Sequence, residues 1–459
     1  MKRDDVIVIG AGISGLATAW WLERHGLAVR VLEAGPRAGG TIGSTRDSGF
    51  LVEAGPNSTL DSTPLLAELM SGIGLADERM AASSAARNRY VVRNGRPIPL
   101  PLTPAAFLTT ELFSWRAKLA LAREPFVAAA PADAEESVAQ FVRRRLGAEF
   151  LDFAVDPFVS GVYAGDPETL SLRAAFPRLH ALEQRYGSLI RGQIVGARER
   201  ARNAEKSKQS APMFSFRNGM QTLTDALAAR LGSLTPGAEA IGIEAHGARG
   251  FTVAATAATG ESRFEASALV VATPAYVAAQ LVAPFAPAAA AALEAVPYPP
   301  VAVCACAYSR AAVEHPLDGF GVLIPRRERR AVLGTIFSST LFPNRAPAGS
   351  VLLTTFVGGA RNPQRALQGD KAIAATVQAE LSGLLGAHGA AQWVRVTCWP
   401  RAIPQYTLGH LQRMAQVARA EHDRPGLFFC ANYRGGIAVG DCVKSAAAVA
   451  GRVVQALGQ

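Results

Sequence analysis

Residues 5–15 read Asp-Val-Ile-Val-Ile-Gly-Ala-Gly-Ile-Ser-Gly, and this stretch decides the first domain of the fold. Its apolar run is typical of a buried parallel strand. Gly10, Gly12 and Gly15 follow at GxGxxG spacing and open an apolar helical pattern that stops near Gly26. These glycines permit a tight turn, close approach of a pyrophosphate to the backbone, and close packing of helix on strand. The helix N-terminus adds free N–H groups for phosphate, so the stretch predicts a strand–turn–helix unit that binds a dinucleotide.

A second strand, from Val29 to Leu32, completes this unit and ends at Glu33. A carboxylate roughly 20 residues beyond the last glycine can accept hydrogen bonds from ribose hydroxyls. The alternative is a glycine turn that only packs an ordinary α/β unit, and the combination of strand, glycines and carboxylate disfavours it. We therefore predict a Rossmann-type α/β domain.

The residues after Glu33 indicate which dinucleotide is bound. Arg37, Gly39-Gly40 and Thr41 follow in close order, and Gly49 to Asn57 adds Glu-Ala-Gly-Pro-Asn. This pattern resembles the extended FAD fingerprint of amine oxidase-like flavoproteins. Arg37 can neutralise phosphate charge or be an ordinary surface arginine.

Composition narrows the classes of partner. The 459 residues include 47 Lys and Arg against 37 Asp and Glu, for a net charge of +10, which favours anionic ligands or surfaces. No basic tract interleaved with aromatic residues occurs, so nucleic acid is not a predicted partner. The five cysteines form neither a disulfide framework nor a metal-spaced pair, so we predict no metal site and a cytoplasmic location. Cys304 and Cys306 are interpreted as core residues of a strand.

The stretch 266–293 has no charged residue and is long enough to cross a membrane. Pro274, Pro284 and Pro287 interrupt it, so we predict a strand at Leu269 to Ala272, a turn and Ala-rich helices instead. Peripheral contact with the inner face of the cytoplasmic membrane stays open.

Hydrophobic patterns predict the remaining elements. Residues 101–150 are predicted to be helical, 371–386 to be an amphipathic helix, and a last helix begins near Asp441. The polar stretch 197–210 is interpreted as a helix end or loop. Further strands are predicted at 251–255, 301–308, 320–324, 332–337, 351–357 and 427–431.

Segments along nearly the whole chain resemble the FAD-dependent, oxygen-using protoporphyrinogen oxidases of haem synthesis. The segments at 161–171 and 403–410 are the most specific to that family. The matching segments are 53–57, 88–90, 161–171, 319–323, 403–410 and 436–442. This resemblance implies oxidation of protoporphyrinogen IX in three two-electron steps, with dioxygen reduced to hydrogen peroxide, and a homodimer.

The resemblance also implies three domains. The FAD-binding domain would comprise 1–60, 214–298 and 400–459. A substrate domain with a mixed sheet would comprise 61–89 and 299–399, and an inserted helical, membrane-associated domain would span 90–213.

Site residues are carried over by matching motifs. The cofactor set is Gly10, Ala11, Gly12, Ile13, Ser14, Gly15, Glu33, Arg37, Gly40, Thr41, Gly55, Pro56, Asn57, Ile437, Ala438, Val439 and Asp441. Asp441 can contact the cofactor, cap its helix, or do both. The substrate set is Arg89, which would pair with a propionate, Asn57, and the apolar wall positions Phe320, Leu323, Ile336 and Phe356. Without the resemblance, Arg89 would be a surface arginine and the four wall positions ordinary core residues.

No acid–base dyad emerges from the sequence. The resemblance implies that the carbonyl of Gly161 faces the reacting carbon, whereas the residue alone indicates a turn glycine. His410 is interpreted as structural. Hydride transfer is the chemistry of the cofactor, and the protein mainly positions the substrate.

Three alternatives remain. A related flavoenzyme oxidises coproporphyrinogen III, which carries four propionates instead of two. An amine oxidase or desaturase can use the same FAD scaffold, and Cys442 close to the flavin segment would permit covalent attachment. A scaffold protein that binds no flavin is the third.

Overall fold

A computed structural model describes residues 4–200, 211–246 and 250–458 of the protein. The strands of the described residues are β1 (Asp4–Ile9), β2 (Val29–Glu33), β3 (Ser44–Asp47), β4 (Phe50–Glu53), β5 (Thr59–Leu60), β6 (Arg79–Ala81), β7 (Asn88–Arg93), β8 (Arg96–Pro99), β9 (Met213–Phe216), β10 (Leu234–Pro236), β11 (Glu239–Ala245), β12 (Phe251–Ala257), β13 (Gly260–Val271), β14 (Val301–Ser309), β15 (Gly319–Leu323), β16 (Val332–Phe337), β17 (Ser350–Gly358), β18 (Trp393–Trp399) and β19 (Leu427–Phe429).

The helices are distributed between and around these strands. In chain order they are α1 (Ile13–Arg24), α2 (Pro64–Gly72), α3 (Pro104–Thr109), α4 (Trp115–Ala122), α5 (Val138–Arg145), α6 (Ala148–Phe150), α7 (Asp156–Tyr163), α8 (Leu172–Ala175), α9 (Pro177–Tyr186), α10 (Leu189–Arg200), α11 (Gln221–Arg230), α12 (Ala275–Val282), α13 (Pro287–Glu294), α14 (Ser338–Leu341), α15 (Asp370–Leu385), α16 (His410–Asp423) and α17 (Val439–Leu457). None of these described helices is long and apolar enough to cross a membrane.

The first sheet has β1 near its centre. Its order is β10-β2-β1-β13-β12-β11, and β19 also pairs with β13. β2, β10, β13 and β19 continue a parallel ladder around β1, whereas β11 and β12 are antiparallel. Val6 and Val8 of β1 pack in a core with α1 and α17, and Ile7 and Ile9 pack on the other face with α12, α13 and α16. Burial of both faces explains the uninterrupted apolar run and confirms the predicted α/β class.

The second sheet has the order β18-β14-β17-β16-β15-β7-β8. Its strands are antiparallel except for the parallel pair β7 and β15. One face packs on α15, where Ile373 and Val377 meet Cys304 and Leu353. Cys304 and Cys306 are completely buried in this core, as expected for structural residues.

A cluster of helices packs against the β7–β8 end of the second sheet. Its core includes Phe141 and Phe150 of the helices together with Val91 of β7. The fully buried Arg145 bonds Glu124 at 2.9 Å and Glu183 at 2.6 Å, so its charge is compensated inside the cluster.

The division into three domains stays a prediction, and two elements bear on its proposed boundaries. The boundary drawn at residue 90 falls inside β7, because Asn88–Arg93 and Arg96–Pro99 form a hairpin of the second sheet. Helix α2 lies within segment 61–89 of the predicted substrate domain, and it packs in the core of the first sheet through Leu66 and Leu69. The predicted polar stretch 197–210 overlaps α10 as far as Arg200, and 201–210 lie outside the described residues.

Candidate functional site

The glycine turn between β1 and α1 forms one wall of the candidate site. Gly10 has φ +101°, and a side chain at Gly15 would collide with the Gly10 carbonyl oxygen. Both glycines are therefore required by the fold itself. Gly12 differs, because its φ is −70° and an added Cβ would meet nothing within 4 Å. The fold gives no reason for glycine at this position, which leaves space next to the helix N-terminus for a ligand.

Glu33 and Arg37 make hydrogen bonds to backbone groups of this turn and of the loop after β2. The Glu33 carboxylate accepts hydrogen bonds from Ala11 N and Gly35 N, both at 2.7 Å. The exposed Arg37 guanidinium donates to the carbonyls of its own loop, at 3.0 Å to Ala38 O and 2.8 Å to Ile42 O. Contacts of Glu33 with ribose and of Arg37 with phosphate stay predictions, since both side chains also have these structural partners.

The other predicted cofactor segments converge on the same turn. Gly39 pairs with Gly12 in a parallel bridge, and Gly40 lies directly beside Gly12. Residues 54–57 reach the loop because Ala54 N donates to Gly43 O at 2.7 Å, and Gly55 abuts the Thr41 carbonyl. Pro56 follows half-buried, and the Asn57 amide donates to Gly55 O at 3.3 Å.

The start of α17 closes the third side of the site. α1 and α17 pack together, and the Ser14 hydroxyl lies against the Cys442 thiol. Ile437 and Ala438 precede the helix, with Ala438 as its N-cap, so Asp441 lies inside the first turn. The fold therefore brings four predicted cofactor segments into one region. They are 10–15, which includes Ile13, 33–43, 54–57, and 437–442, which includes Val439.

Aromatic side chains hold the loop that leads into α17. The Tyr406 hydroxyl donates to Asn432 O at 2.7 Å and accepts from Gly436 N at 2.9 Å. The His410 ring stacks on Tyr406 at 4.2 Å, and its Nε2 donates to Tyr433 O at 2.9 Å. Burial lowers the pKa of His410 to about 4, so the ring is neutral and structural, in line with its interpretation.

The predicted apolar wall lies on one face of the second sheet. Leu323 pairs with Gly334, and Gly334 pairs with Phe356. Because Ile336 lies two residues beyond Gly334, Leu323, Ile336 and Phe356 share this face, and all three are half-buried. Phe320 is also half-buried and lies at an irregularity in the pairing of β15 with β7.

Gly161 of α7 packs against this wall. A side chain there would collide with Leu323 Cδ2, so the present close approach of helix and sheet holds only with glycine or after Leu323 moves. Two residues on, Tyr163 lies close enough to Asp441 to feel its charge. Burial, assisted by this carboxylate, raises the pKa of Tyr163 to about 12. Helix α7 therefore joins the apolar wall to the start of α17.

Arg89 and Asn57 are not brought into direct contact. Arg89 is exposed on β7, and its guanidinium makes no hydrogen bond or ion pair with any described residue. Among the described residues, no hydrogen bond joins Arg89 to Asn57, whose amide instead donates to Gly55 O. Both substrate roles stay predictions.

Two contacts made by Glu53 and Ala54, at the end of β4, escaped the sequence reasoning. Trp399 of β18 donates from Nε1 to Ala54 O at 2.7 Å, beside a crevice of about 300 Å³. Arg345 and Glu53 form a completely buried ion pair at 3.0 Å. Trp399 stands just before the specific segment 403–410, which was the available signal, whereas nothing local marks Arg345.

The chain matches a known family over residues 13–454, described as flavin containing amine oxidoreductase. Because this match spans nearly the whole chain, the protein belongs to that family of flavoenzymes.

Two relatives and one solved structure illustrate the range of similarity. The chloroplastic protoporphyrinogen oxidase of Nicotiana tabacum is 37% identical, over 98% of this chain and 85% of that protein. The coproporphyrinogen III oxidase of Bacillus subtilis (strain 168) is 28% identical, over 96% of each chain. A crystal structure from Exiguobacterium sp. 255-15 has a TM-score of 0.84 at 23% identity, over 100% of both chains, and shows the shared fold.

The predicted cofactor, FAD, follows from the family, and the site fits it. The space at Gly12 beside the N-terminus of α1 suits a pyrophosphate. Cys442 is buried, and burial raises the pKa of its thiol to about 12. A protonated, buried thiol is a poor nucleophile, so this residue does not favour covalent attachment of the flavin.

Proposed function

We propose that this FAD-dependent oxidoreductase converts protoporphyrinogen IX to protoporphyrin IX, with dioxygen as the electron acceptor and hydrogen peroxide as the product. The observation that carries the proposal is the 37% identity to a protoporphyrinogen oxidase over 98% of the chain. The two-electron oxidations and the delivery of electrons to dioxygen are chemistry that bound FAD supplies.

The residues of the chain would bind and orient the substrate. Leu323, Ile336 and Phe356 offer a flat apolar face of the kind that a macrocycle needs. The exposed Arg89 guanidinium can hold a propionate by two parallel hydrogen bonds. Gly161 allows α7 to lie directly against Leu323, which keeps that wall closed on the helical side. That its carbonyl faces the reacting carbon is also part of the proposal.

Anaerobic mixing of the purified flavoprotein with protoporphyrinogen IX tests this function. The flavin absorbance should bleach, and admission of air should restore it with formation of hydrogen peroxide. Bleaching by coproporphyrinogen III alone would assign the second substrate, which the 28% identical relative acts on by name. A flavin that neither compound bleaches would contradict the proposal.

Peripheral binding to a membrane is supported by large apolar side chains on one segment of the helical region. Each is at least half exposed, and they are Leu102, Leu108, Trp115, Leu119 and Phe126. Apolar patches of this kind mark interaction surfaces. We expect the double variant Trp115→Ala, Leu119→Ala to sediment less with anionic phospholipid vesicles than wild type. The control Ile241→Ala, which removes an exposed apolar side chain on β11, should bind as wild type, and unchanged sedimentation of the double variant would contradict the proposal.

A homodimer at the inner face of the cytoplasmic membrane completes the proposal. Light scattering on the purified protein tests the dimer, with twice the chain mass expected and a monomer mass contradicting it.

A further inference from the structure

Asp318 binds both residues that flank Arg89. Its carboxylate accepts a hydrogen bond from the Tyr90 hydroxyl at 2.5 Å and another from the Asn88 amide at 2.9 Å. The Asn88 amide also donates to the Tyr90 oxygen at 3.2 Å. These three side chains form a closed set, which we call the Asp318 cluster.

The cluster lies on the opposite side of β7 from Arg89. Side chains alternate along a strand, so Asn88 and Tyr90 point one way and Arg89 the other. Tyr90 is buried in the core beneath the second sheet, whereas Arg89 is exposed. Fixing these two neighbours, the half-buried Asn88 and the buried Tyr90, therefore fixes the direction in which Arg89 leaves the strand.

The same contacts fix the neighbouring strand. Asp318 immediately precedes β15, and its carbonyl accepts from Arg87 N at 3.1 Å and from Asn88 N at 3.3 Å. A side chain at Gly319 would press on the Asn88 carbonyl and the Tyr90 ring. The cluster therefore sets β7 against β15 at the point where β15 carries Phe320.

The Tyr90 hydroxyl stays protonated and fixed in place, so it donates its hydrogen bond to Asp318 at neutral pH. Its ring is held by the edge of His315, with ring centres 4.9 Å apart. Burial and the Asp318 carboxylate together raise the pKa of Tyr90 to about 12, so the hydroxyl keeps its proton at neutral pH.

From this geometry we infer that Asp318, acting through Asn88 and Tyr90, positions Arg89 to receive a carboxylate of the substrate. Asp318 and Tyr90 are positioning residues, since neither lies on the face that Arg89 presents. The inference rests on the proposed function, in which Arg89 pairs with a propionate.

A double-mutant cycle tests this inference. Tyr90→Phe removes only the hydroxyl, and Arg89→Ala removes the guanidinium. We expect Arg89→Ala to raise KM for protoporphyrinogen IX by about 10- to 100-fold, the range for a lost hydrogen bond to a charged group. Tyr90→Phe should raise it about fivefold in wild type but leave it unchanged in the Arg89→Ala background, because the two act as one unit. The Kd of the holoenzyme for the product protoporphyrin IX should follow the same pattern, with kcat and flavin content nearly constant.

Tyr308→Phe is a matched control, because Tyr308 is a buried tyrosine of the same core but lies on β14, which sits between β17 and β18 in the sheet, away from β7. It should leave KM unchanged. Asp318→Asn is a second variant that keeps the shape of the side chain and should raise KM in the same direction as Tyr90→Phe.

Equal effects of Tyr90→Phe in both backgrounds would overturn the inference, as would no effect in wild type. In either case wild-type turnover of protoporphyrinogen IX would leave the proposed function standing. A wild-type holoenzyme that forms no porphyrin would remove the proposed function and this inference together.

Discussion

The cofactor turn and the substrate-facing wall are built by different means. The turn is made by backbone, through glycines whose positions are dictated within a few residues of one another. The wall is made by side chains of β15, β16 and β17, with Arg89 added from β7. A site made by backbone can be recognised in the sequence from a short motif. A site made by side chains depends on contacts between segments that are distant in the sequence.

The largest expected effect is the loss of flavin binding when the backbone-built turn is changed at Gly12. Gly12→Val should abolish flavin binding while the folded chain survives, because an added side chain enters empty space that the phosphate needs and strains nothing else. The flavin-to-protein absorbance ratio should fall almost to zero. The free energy of unfolding of the apoprotein should stay within about 0.5 kcal/mol of apo wild type.

Gly242→Val is the control for this substitution. Gly242 lies on β11 with equally open space around a Cβ, so this variant should retain its flavin. Full flavin occupancy in Gly12→Val would show that the turn does not hold the cofactor.

The next effect tests the buried ion pair of Glu53, the residue that precedes cofactor segment 54–57. The Glu53 carboxylate precedes segment 54–57 and is held by Arg345 at 3.0 Å, Ser44 Oγ at 2.5 Å and Met220 N at 3.0 Å. Arg345→Met leaves this buried charge without its cation, so we expect the free energy of unfolding to fall by about 3–5 kcal/mol in chemical denaturation.

Arg263→Met removes an exposed pair with Glu244, also 3.0 Å long, and provides the comparison. It should cost at most about 1 kcal/mol. A loss of similar size in both variants would mean that the buried pair contributes no more than a surface pair.

A smaller effect is the pH dependence of stability that His410 causes. This residue lies among the aromatic side chains that hold the loop leading into α17. His410 Nδ1 is buried without a partner among the described residues, so a proton added there would find no acceptor. Burial lowers the pKa to about 4 in the folded chain, against about 6.5 in the unfolded chain. The unfolded chain therefore binds the proton first, and stability present above pH 6.5 is lost as the pH falls towards 4, by about 3 kcal/mol in all.

Chemical denaturation of wild type and His410→Phe between pH 4 and 7.5 measures how the free energy of unfolding of each protein changes with pH. The variant keeps an aromatic ring against Tyr406 but cannot titrate, so its stability should fall less steeply below pH 6.5. Identical slopes would place the acid sensitivity elsewhere.

These contrasts also explain how much could be predicted. The turn at 10–15 and strands β1 and β2 were predictable because glycine spacing and apolar runs are local signals. The bond between Tyr90 and Asp318 joins residues 228 positions apart, and Trp399 to Ala54 spans 345. No local pattern encodes such pairs.

Short strands were the elements that the sequence predicted least well. Strand β7 has only six residues, and the predicted domain boundary at residue 90 falls within it. The hairpin β3–β4 and strand β18 had no prediction at all, because they have only four to seven residues and none of them shows the alternation of exposed and buried side chains that marks a half-buried strand.

The most direct test of the account compares two substrates on one flavin-loaded sample. Porphyrin fluorescence in air should rise with protoporphyrinogen IX at a higher kcat/KM than with coproporphyrinogen III. A preference for coproporphyrinogen III, or bound flavin with no porphyrin formed from either compound, would contradict it.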